Sequence, residues 1–98
     1  MIIAELAIFP TSEGASVSRY VREAIRALEE SDLKTETGGM STTIEAPDFA
    51  ALWRAIEAAD AALVRMGSVR IHIDLRIDHR LDKDATIFTK KKAVGKAD

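Results

Sequence analysis

The stretch "VRIHIDLRID", Val69 to Asp78, alternates apolar and polar residues without a break. Isoleucine, leucine or valine occupies every odd position, and arginine, histidine or aspartate occupies every even one. Successive side chains of a β-strand point to opposite faces of the sheet, so a period of two predicts a strand with one buried and one polar face. This stretch is the strongest local signal in the chain and implies a sheet that is covered on one side.

Three further strands are predicted upstream of this one. Ile2–Phe9 is an almost continuous apolar run that stops at Pro10, which predicts a central strand buried on much of both faces. Lys34–Thr37 predicts a short, weak strand. A glycine pair, Gly38 and Gly39, punctuates the chain there, and Met40–Ala46 predicts another short strand.

Two amphipathic helices separate these strands. Ser16 is predicted to cap the first helix, which ends near Ser31. Apolar residues recur along this helix at three- and four-residue steps and form one face: Val17, Tyr20, Val21, Ala24, Ile25 and Leu28. Asp48 is predicted to cap the second helix and Gly67 to end it. Trp53 falls on the apolar stripe of the second helix, which predicts a core position.

The element order is strand–helix–strand, twice. Two such units with right-handed crossovers interleave into a four-stranded antiparallel sheet with two helices on one face. We therefore predict an α+β protein with the ferredoxin-like βαββαβ fold, as a single domain over residues 1–98 with a short C-terminal extension. The extension could be a short helix packed on the domain or on a neighbour, with its last few residues loose.

Composition excludes several classes of function. With 14 basic and 16 acidic residues the net charge is -2, which offers no general attraction to nucleic acid. The chain has no cysteine, so disulfides, thiolate metal sites and cysteine nucleophiles are excluded. The first ten residues contain Glu5, have no basic leader and are too short to span a bilayer. We expect a cytoplasmic protein with neither nucleic acid nor membrane as a partner.

The polar face of the predicted sheet lies opposite the two helices. Along it the charges of the last strand alternate, at Arg70, His72, Asp74, Arg76 and Asp78. Such a face could simply be solvated. It could also be an interface with another subunit, because each acid can meet a base across a two-fold axis. We favour the second interpretation and expect a homo-oligomer.

Two segments are candidates for binding a small molecule. The hydroxyl-rich loop from Thr11 to Ser16 ends at a helix N-terminus, which suits a polar or anionic group, although a plain helix cap explains it equally well. Thr42, Thr43 and Glu45 place hydroxyls and a carboxylate on a short strand, where they could hydrogen-bond a heterocycle. Threonines also simply suit strands.

Metal binding and catalysis lack the necessary groups. His72 and Asp74 are two residues apart on one strand, where side chains splay along the strand, and a third ligand from elsewhere is missing. We find no serine or threonine whose base and orienting carboxylate can be placed nearby, so we expect no catalytic residue. The basic run Thr89–Lys96 is interpreted as a solvated tail.

Four stretches together resemble the thiamine-binding protein family (MTH1187/YkoF-like, formerly the domain of unknown function DUF77). They are "MIIAELAIFP", "SVSRYV", "GMSTTIE" and "RIDHRLDKDATIFTKKKAV", and in order they cover nearly the whole chain. No single motif is specific, whereas the four together are. The resemblance implies a ferredoxin-like fold and homo-oligomers, dimers or tetramers, built from sheet-to-sheet or edge contacts. It also implies binding of thiamine or its hydroxymethylpyrimidine moiety near the subunit interface.

The resemblance also suggests site residues. Matched to the family motifs are Ser16, Ser18 and Tyr20, then Thr42, Thr43 and Glu45, then Arg80, Asp82 and Lys83. A thiazolium cation would be favoured by acids such as Glu45 or Asp78, so the predicted ligand-binding set is Thr11, Ser16, Ser18, Tyr20, Thr42, Thr43, Glu45 and Asp78. Departures from the family are Ser41 and Ala46–Pro47, which replace glycines, and the less glycine-rich loop after Pro10; these changes could narrow or stiffen the pocket wall.

The resulting prediction is a non-catalytic binding protein for thiamine or hydroxymethylpyrimidine that needs no cofactor. A regulatory or assembly module that senses another small metabolite at a subunit interface is the alternative, because the same fold permits it. A small enzyme that uses His72, Asp74 and Asp78 is the third and last possibility.

Overall fold

The computed structural model describes residues 1–96, and the final two residues of the tail, expected to be loose, lie outside the described residues. The elements in chain order are β1 (Ile2–Pro10), α1 (Ser18–Glu29), β2 (Lys34–Thr37), β3 (Thr42–Ala46), α2 (Phe49–Arg65), β4 (Ile71–His79) and α3 (Ile87–Ala93). The strands form one sheet in the order β2-β3-β1-β4, and every neighbouring pair is antiparallel. The ferredoxin-like βαββαβ prediction is confirmed, and α3 is the C-terminal extension.

The core lies between one face of the sheet and the helices α1 and α2. Alternate residues of β1 point into it, and each is at most 5% exposed: Ile2, Ala4, Leu6 and Ile8. They meet Tyr20, Ala24 and Leu28 from α1 and Leu52, Ala55, Ile56, Ala59 and Leu63 from α2. Burial of this apolar surface is the main force that holds the helices on the sheet. The opposite face carries the polar residues of β4.

The start of α1 differs from the prediction. Val17, not Ser16, is the N-cap residue, and within residues 1–96 no side chain caps this helix. The Val17 carbonyl accepts the amides of both Tyr20 and Val21, at 3.0 Å each, so the helix begins one residue later than a Ser16 cap would place it. The helix also ends at Glu29, short of Ser31, whose hydroxyl donates to the Leu28 carbonyl.

The ends of α2 agree with the prediction. Asp48 caps the helix, and its carboxylate accepts from the Ala51 amide at 2.8 Å. Gly67 follows the last turn directly. Its φ is +90°, a backbone conformation that residues other than glycine rarely adopt. No helix within residues 1–96 combines the length and the hydrophobicity that are needed to cross a membrane.

Trp53 is not a core residue, contrary to the prediction. Leu52 and Ile56 point from α2 into the core, whereas Trp53 lies beside them around the helix and is 44% exposed. Its ring stacks on Phe49, which is also partly exposed, with centroids 6.1 Å apart. Phe49 in turn contacts the His79 ring edge-on at 5.2 Å, at the end of β4. The apolar stripe of α2 is therefore wider than the part of the helix that is buried against the rest of the domain.

Two strands begin later than predicted. The Gly38 amide donates to the Ser41 carbonyl at 2.9 Å, so the β2–β3 connection is a tight turn. Met40 lies in this turn, 92% exposed, and β3 starts at Thr42. Val69 is 86% exposed, and β4 starts at Ile71.

Candidate functional site

The polar face of the sheet is partly covered by α3. Ile87, at the start of α3, is 5% exposed. Lys90 is ion-paired with Asp78 on β4, and Lys91 Nζ lies 2.9 Å from Glu36 Oε1 on β2. These are the two edge strands, about 14 Å apart at normal strand spacing, so the lysines anchor α3 across the width of the sheet. The basic run of the tail is therefore not simply solvated, and the extension packs on its own domain.

A capping box explains why so short a helix forms. The Thr86 hydroxyl accepts from the Thr89 amide at 3.0 Å, and the Thr89 hydroxyl accepts from the Thr86 amide at 2.8 Å. Two of the unpaired amides at the helix start are satisfied in this way. The lysines at positions 90–92 fall in the last turn, where positive charge stabilises a helix end.

A groove of about 560 Å³ lies between α3 and the polar face, and we call it the α3 groove. It is lined by Ile3, Ala4, Glu5, Glu36, Thr43, Arg76, Ile77, Asp78, Ile87, Lys90, Lys91 and Val94. The floor comes from all four strands and one wall from α3. Its size and its mixture of apolar walls with a few polar groups are typical of sites for small molecules.

Glu45 is a buried acid on the same face. It is 6% exposed and stands opposite Ile3 of the groove floor in the β1–β3 register. Lys34 Nζ is 3.9 Å from Glu45 Oε2, too far for a hydrogen bond, and this oxygen has no hydrogen-bond partner within residues 1–96. Burying a carboxylate oxygen without a donor is unfavourable. Glu45 therefore carries a buried acceptor oxygen on this face that no donor within residues 1–96 uses.

The predicted site residues of β3 and β4 fall on two faces. Thr43, Glu45 and Asp78 share the polar face, in register with Glu5 and Ile3 of β1. Thr42 faces the helices instead, 3% exposed, and its hydroxyl lies 3.2 Å from that of Thr37. Thr43 and Asp78 thus line the α3 groove, and Glu45 lies beside it, opposite Ile3 of the groove floor.

The predicted residues of the first loop lie at the other end of the sheet. The Thr11 amide donates to the Arg70 carbonyl at 2.8 Å, beyond the start of β4. Ser16 and Ser18 are exposed where the loop enters α1, and Tyr20 is buried behind them. From Ile3 to Thr11 the extended chain spans about 26 Å. Within one chain these residues do not converge on the α3 groove.

The loop is organised around Glu13, which the sequence reasoning did not single out. Its carboxylate accepts from the Ser12 hydroxyl at 2.7 Å and from the Tyr20 hydroxyl at 3.0 Å. These two bonds, the Ser12 bond first, lower the pKa of Glu13 below its usual value. Arg19 completes the network, because its guanidinium donates to the Tyr20 hydroxyl at 3.0 Å. An acid in the loop before a helix is a weak signal in the sequence, and only the fold shows its partners.

Arg80 and Asp82, which follow β4, also form an ion pair. The Arg80 guanidinium is bound to Asp82 and lowers the pKa of that carboxyl to about 2. On β4 itself, the hydrogen bond from Lys90 lowers the pKa of Asp78. Both acids therefore keep their negative charge throughout the physiological range.

His72 and Asp74 form a contact rather than a metal site. His72 Nε2 lies 3.4 Å from Asp74 Oδ1, and the His72 ring stacks on Phe9 with centroids 5.2 Å apart. In the part of the chain that the structure describes, no three His, Cys, Asp or Glu side chains converge as metal ligands would.

Comparison with known proteins assigns the chain to a family. The family described as "Thiamine-binding protein" matches residues 4–95. The chain belongs to the thiamine-binding protein family. This member is 39% identical over 94 residues to UPF0045 protein MJ1052 of Methanocaldococcus jannaschii, covering 96% of this chain and 92% of the relative. It is 38% identical over 95 residues to a UPF0045 protein of Methanothermobacter thermautotrophicus, covering 96% of each.

Solved structures of related proteins have the same fold. The crystal structure of MJ1052 superposes with a TM-score of 0.88, over 97% of this thiamine-binding family member and 96% of that chain. A Thermotoga maritima protein, TM0486, proposed to act in thiamine biosynthesis or salvage, superposes with a TM-score of 0.81 at 20% identity, over 95% of this chain and 97% of that one. At this identity the second comparison shows the fold alone.

Proposed function

We propose that this protein binds thiamine or its hydroxymethylpyrimidine moiety in the α3 groove and catalyses no reaction. The observation that carries the proposal is the family match, which extends over residues 4–95 and so includes every strand that forms the groove floor except the first two residues of β1. We further propose that the protein acts in the cytoplasm, without a cofactor.

The chemistry of the groove suits this ligand. An aminopyrimidine presents an amino donor and ring-nitrogen acceptors, for which the Thr43 hydroxyl in the groove and the Glu45 carboxylate beside it are complementary partners. The thiazolium cation of thiamine would be stabilised by Glu5 and Asp78 along the floor. Ile3 and Ile87 supply apolar contacts for the rings. Asp78 already binds Lys90, so a cationic ligand would compete with that lysine.

We also propose that the ligand lies near the interface of a homo-oligomer, a dimer or a tetramer. Thr11, Ser16, Ser18 and Tyr20 then contribute from another subunit, since within one chain they lie at the opposite end of the sheet from Glu45. Thr42 supports the site from the helix side of β3. Asp78 and Glu36 are each ion-paired with a lysine of α3.

Isothermal titration calorimetry with thiamine, and separately with hydroxymethylpyrimidine, tests the proposal. We expect saturable binding that raises the melting temperature with ligand concentration. Glu45→Gln should weaken binding by about 10- to 100-fold, the loss of a charge-assisted hydrogen bond of roughly 1.5–3 kcal/mol. Glu57→Gln, an exposed position on α2, is the matched control and should bind as the wild type does.

Two results would contradict parts of the proposal. If neither compound binds at millimolar concentration while another metabolite does, the alternative of a sensor for a different ligand is favoured. If Glu45→Gln binds as tightly as Glu57→Gln, Glu45 is not part of the site. Because Glu45 is buried without a donor, its neutral variant should fold at least as stably as the wild type, so weakened binding would not reflect unfolding.

A further inference from the structure

Acids and bases line the α3 groove in equal numbers. The acids are Glu5, Glu36 and Asp78, and the bases are Arg76, Lys90 and Lys91. All three acids belong to the sheet, whereas two of the three bases belong to α3. The sheet alone would therefore present a floor with a net negative charge, and the two lysines of α3 bring the lining to neutrality.

Each lysine is engaged with one acid of the floor. Lys90 is hydrogen-bonded to Asp78 on β4, and Lys91 Nζ lies 2.9 Å from Glu36 Oε1 on β2. Hydrogen bonds between two charged groups are stronger than those between neutral groups. A cation that binds either acid must therefore displace a lysine, whereas an uncharged molecule leaves both pairs intact.

The remaining acid of the floor, Glu5, is partnered more loosely. Its Oε1 lies 4.0 Å from Arg76 Nη1, and both side chains are in contact with solvent. Water and salt weaken the attraction between an exposed acid and a cation, so Glu5 alone would hold a cationic ligand only weakly. The preference of the groove for charged or uncharged ligands is therefore decided mainly at the two acids that α3 covers.

We propose that Lys90 and Lys91 determine ligand specificity as built-in counter-ions, so that the groove selects an uncharged ring over the same ring joined to a cation. This inference rests on the proposed function and sharpens it, because hydroxymethylpyrimidine is then preferred over thiamine. The two compounds share the pyrimidine, which the Thr43 hydroxyl and the apolar walls can contact in both. The additional thiazolium cation of thiamine meets carboxylates that the lysines already hold.

Two variants that break the same ion pair test this specificity. Lys90→Met leaves the Asp78 carboxylate free for the thiazolium, and Asp78→Asn leaves the Lys90 ammonium without its acid. Relative to hydroxymethylpyrimidine, Lys90→Met should bind thiamine about tenfold more tightly than the wild type does. Asp78→Asn should shift the ratio of the two dissociation constants in the opposite direction. Isothermal titration calorimetry with each compound measures both constants.

The opposite signs separate an effect of charge from an effect of structure. Both variants remove the contact between α3 and β4, so a simple loosening of α3 would shift the ratio in the same direction in both. Lys90→Arg keeps the positive charge and should keep the wild-type ratio within about twofold. Lys91→Met frees Glu36 and should shift the ratio toward thiamine, as Lys90→Met does.

Lys92→Met is the matched control on the same helix. Within residues 1–96 the groove lining does not include Lys92, whose Nζ lies 5.9 Å from the centre of the Phe88 ring. This variant changes the net charge as Lys90→Met does, and it should bind both compounds as the wild type does. Equal shifts in Lys92→Met and Lys90→Met would attribute the effect to the net charge of the chain and overturn the inference.

The remaining outcomes separate this inference from the proposed function. If both compounds bind but the wild type prefers thiamine, or the ratio is the same in all variants, the lysines do not select an uncharged ligand. A shift in the same direction in Lys90→Met and Asp78→Asn leads to the same conclusion, and the proposed function stands in each case. If neither compound binds to the wild type or to any variant, the proposed function itself is wrong, and the specificity falls with it.

Discussion

The strands β1 and β4 have the same length and are paired along all nine residues, yet they differ in burial. Ile8 of β1 and Ile73 of β4 are direct cross-strand partners, and they are 5% and 41% exposed. Even on the polar face, Ile3 of β1 is only 6% exposed. A central strand is shielded by neighbours on both edges, whereas an edge strand is shielded on one. Apolar residues on an edge strand therefore indicate surface that the single chain leaves uncovered.

The largest expected effect is the difference in stability lost when each of these two isoleucines is replaced by alanine. Ile8→Ala should reduce the free energy of unfolding by about 2–5 kcal/mol, since it leaves a cavity in the core. Ile73→Ala should cost less than half as much in dilute solution, because its side chain is already partly in water. Chemical denaturation of both variants measures the difference. Equal losses would mean that β4 is as well packed as β1.

The same contrast explains what the sequence could predict. Period-two alternation in β4 and the continuous apolar run of β1 reflect local side-chain placement, so both strands, and with them the fold, were predictable. The exposure of Trp53 was not predictable, because a helical repeat shows which side of α2 is apolar but not how much of that side the sheet covers. Ser16 failed as the cap by one residue, a normal uncertainty at helix ends.

The candidate site was predictable in part for a different reason. Thr43, Glu45 and Asp78 could be assigned to the polar face by alternation within their strands. The α3 groove could not, because the lysines of α3 resemble an ordinary solvated run until the fold brings Asp78 and Glu36 beneath them. Contacts of this kind, between residues 12 and 55 positions apart, leave no local pattern in the sequence.

A middle-sized effect concerns α3, which covers the polar side of the same strands. Thr86→Ala removes one half of the capping box and should destabilise α3 by roughly 0.5–2 kcal/mol. Amide hydrogen exchange should accelerate in residues 87–93 and remain unchanged in β1, since the core does not depend on α3. A matched control is Thr35→Ala on β2. Equal acceleration throughout the chain would show that α3 unfolds only together with the core.

The smallest effect is the pH dependence of the contact between α3 and β4. The Lys90 hydrogen bond lowers the pKa of Asp78 in the folded protein, so the protonated form is the one that folding disfavours. The contribution of this pair is therefore present above the ordinary aspartate pKa of about 3.9, and is lost as the pH falls through the lower folded value. From neutral pH down to about pH 4 the pair stays charged, so its contribution to the protection of α3 amides against exchange should stay constant.

Below that range, the protection of α3 amides, measured relative to their intrinsic exchange rate at each pH, should fall more steeply in the wild type than in Asp78→Asn, which has no carboxylate left to protonate. The effect is modest because both side chains are in contact with solvent, where water and salt weaken an ion pair. Measuring both proteins in dilute solution keeps self-association out of the comparison. Identical acid profiles would show that α3 is held on the sheet by Ile87 and by Lys91 rather than through the edge strand β4.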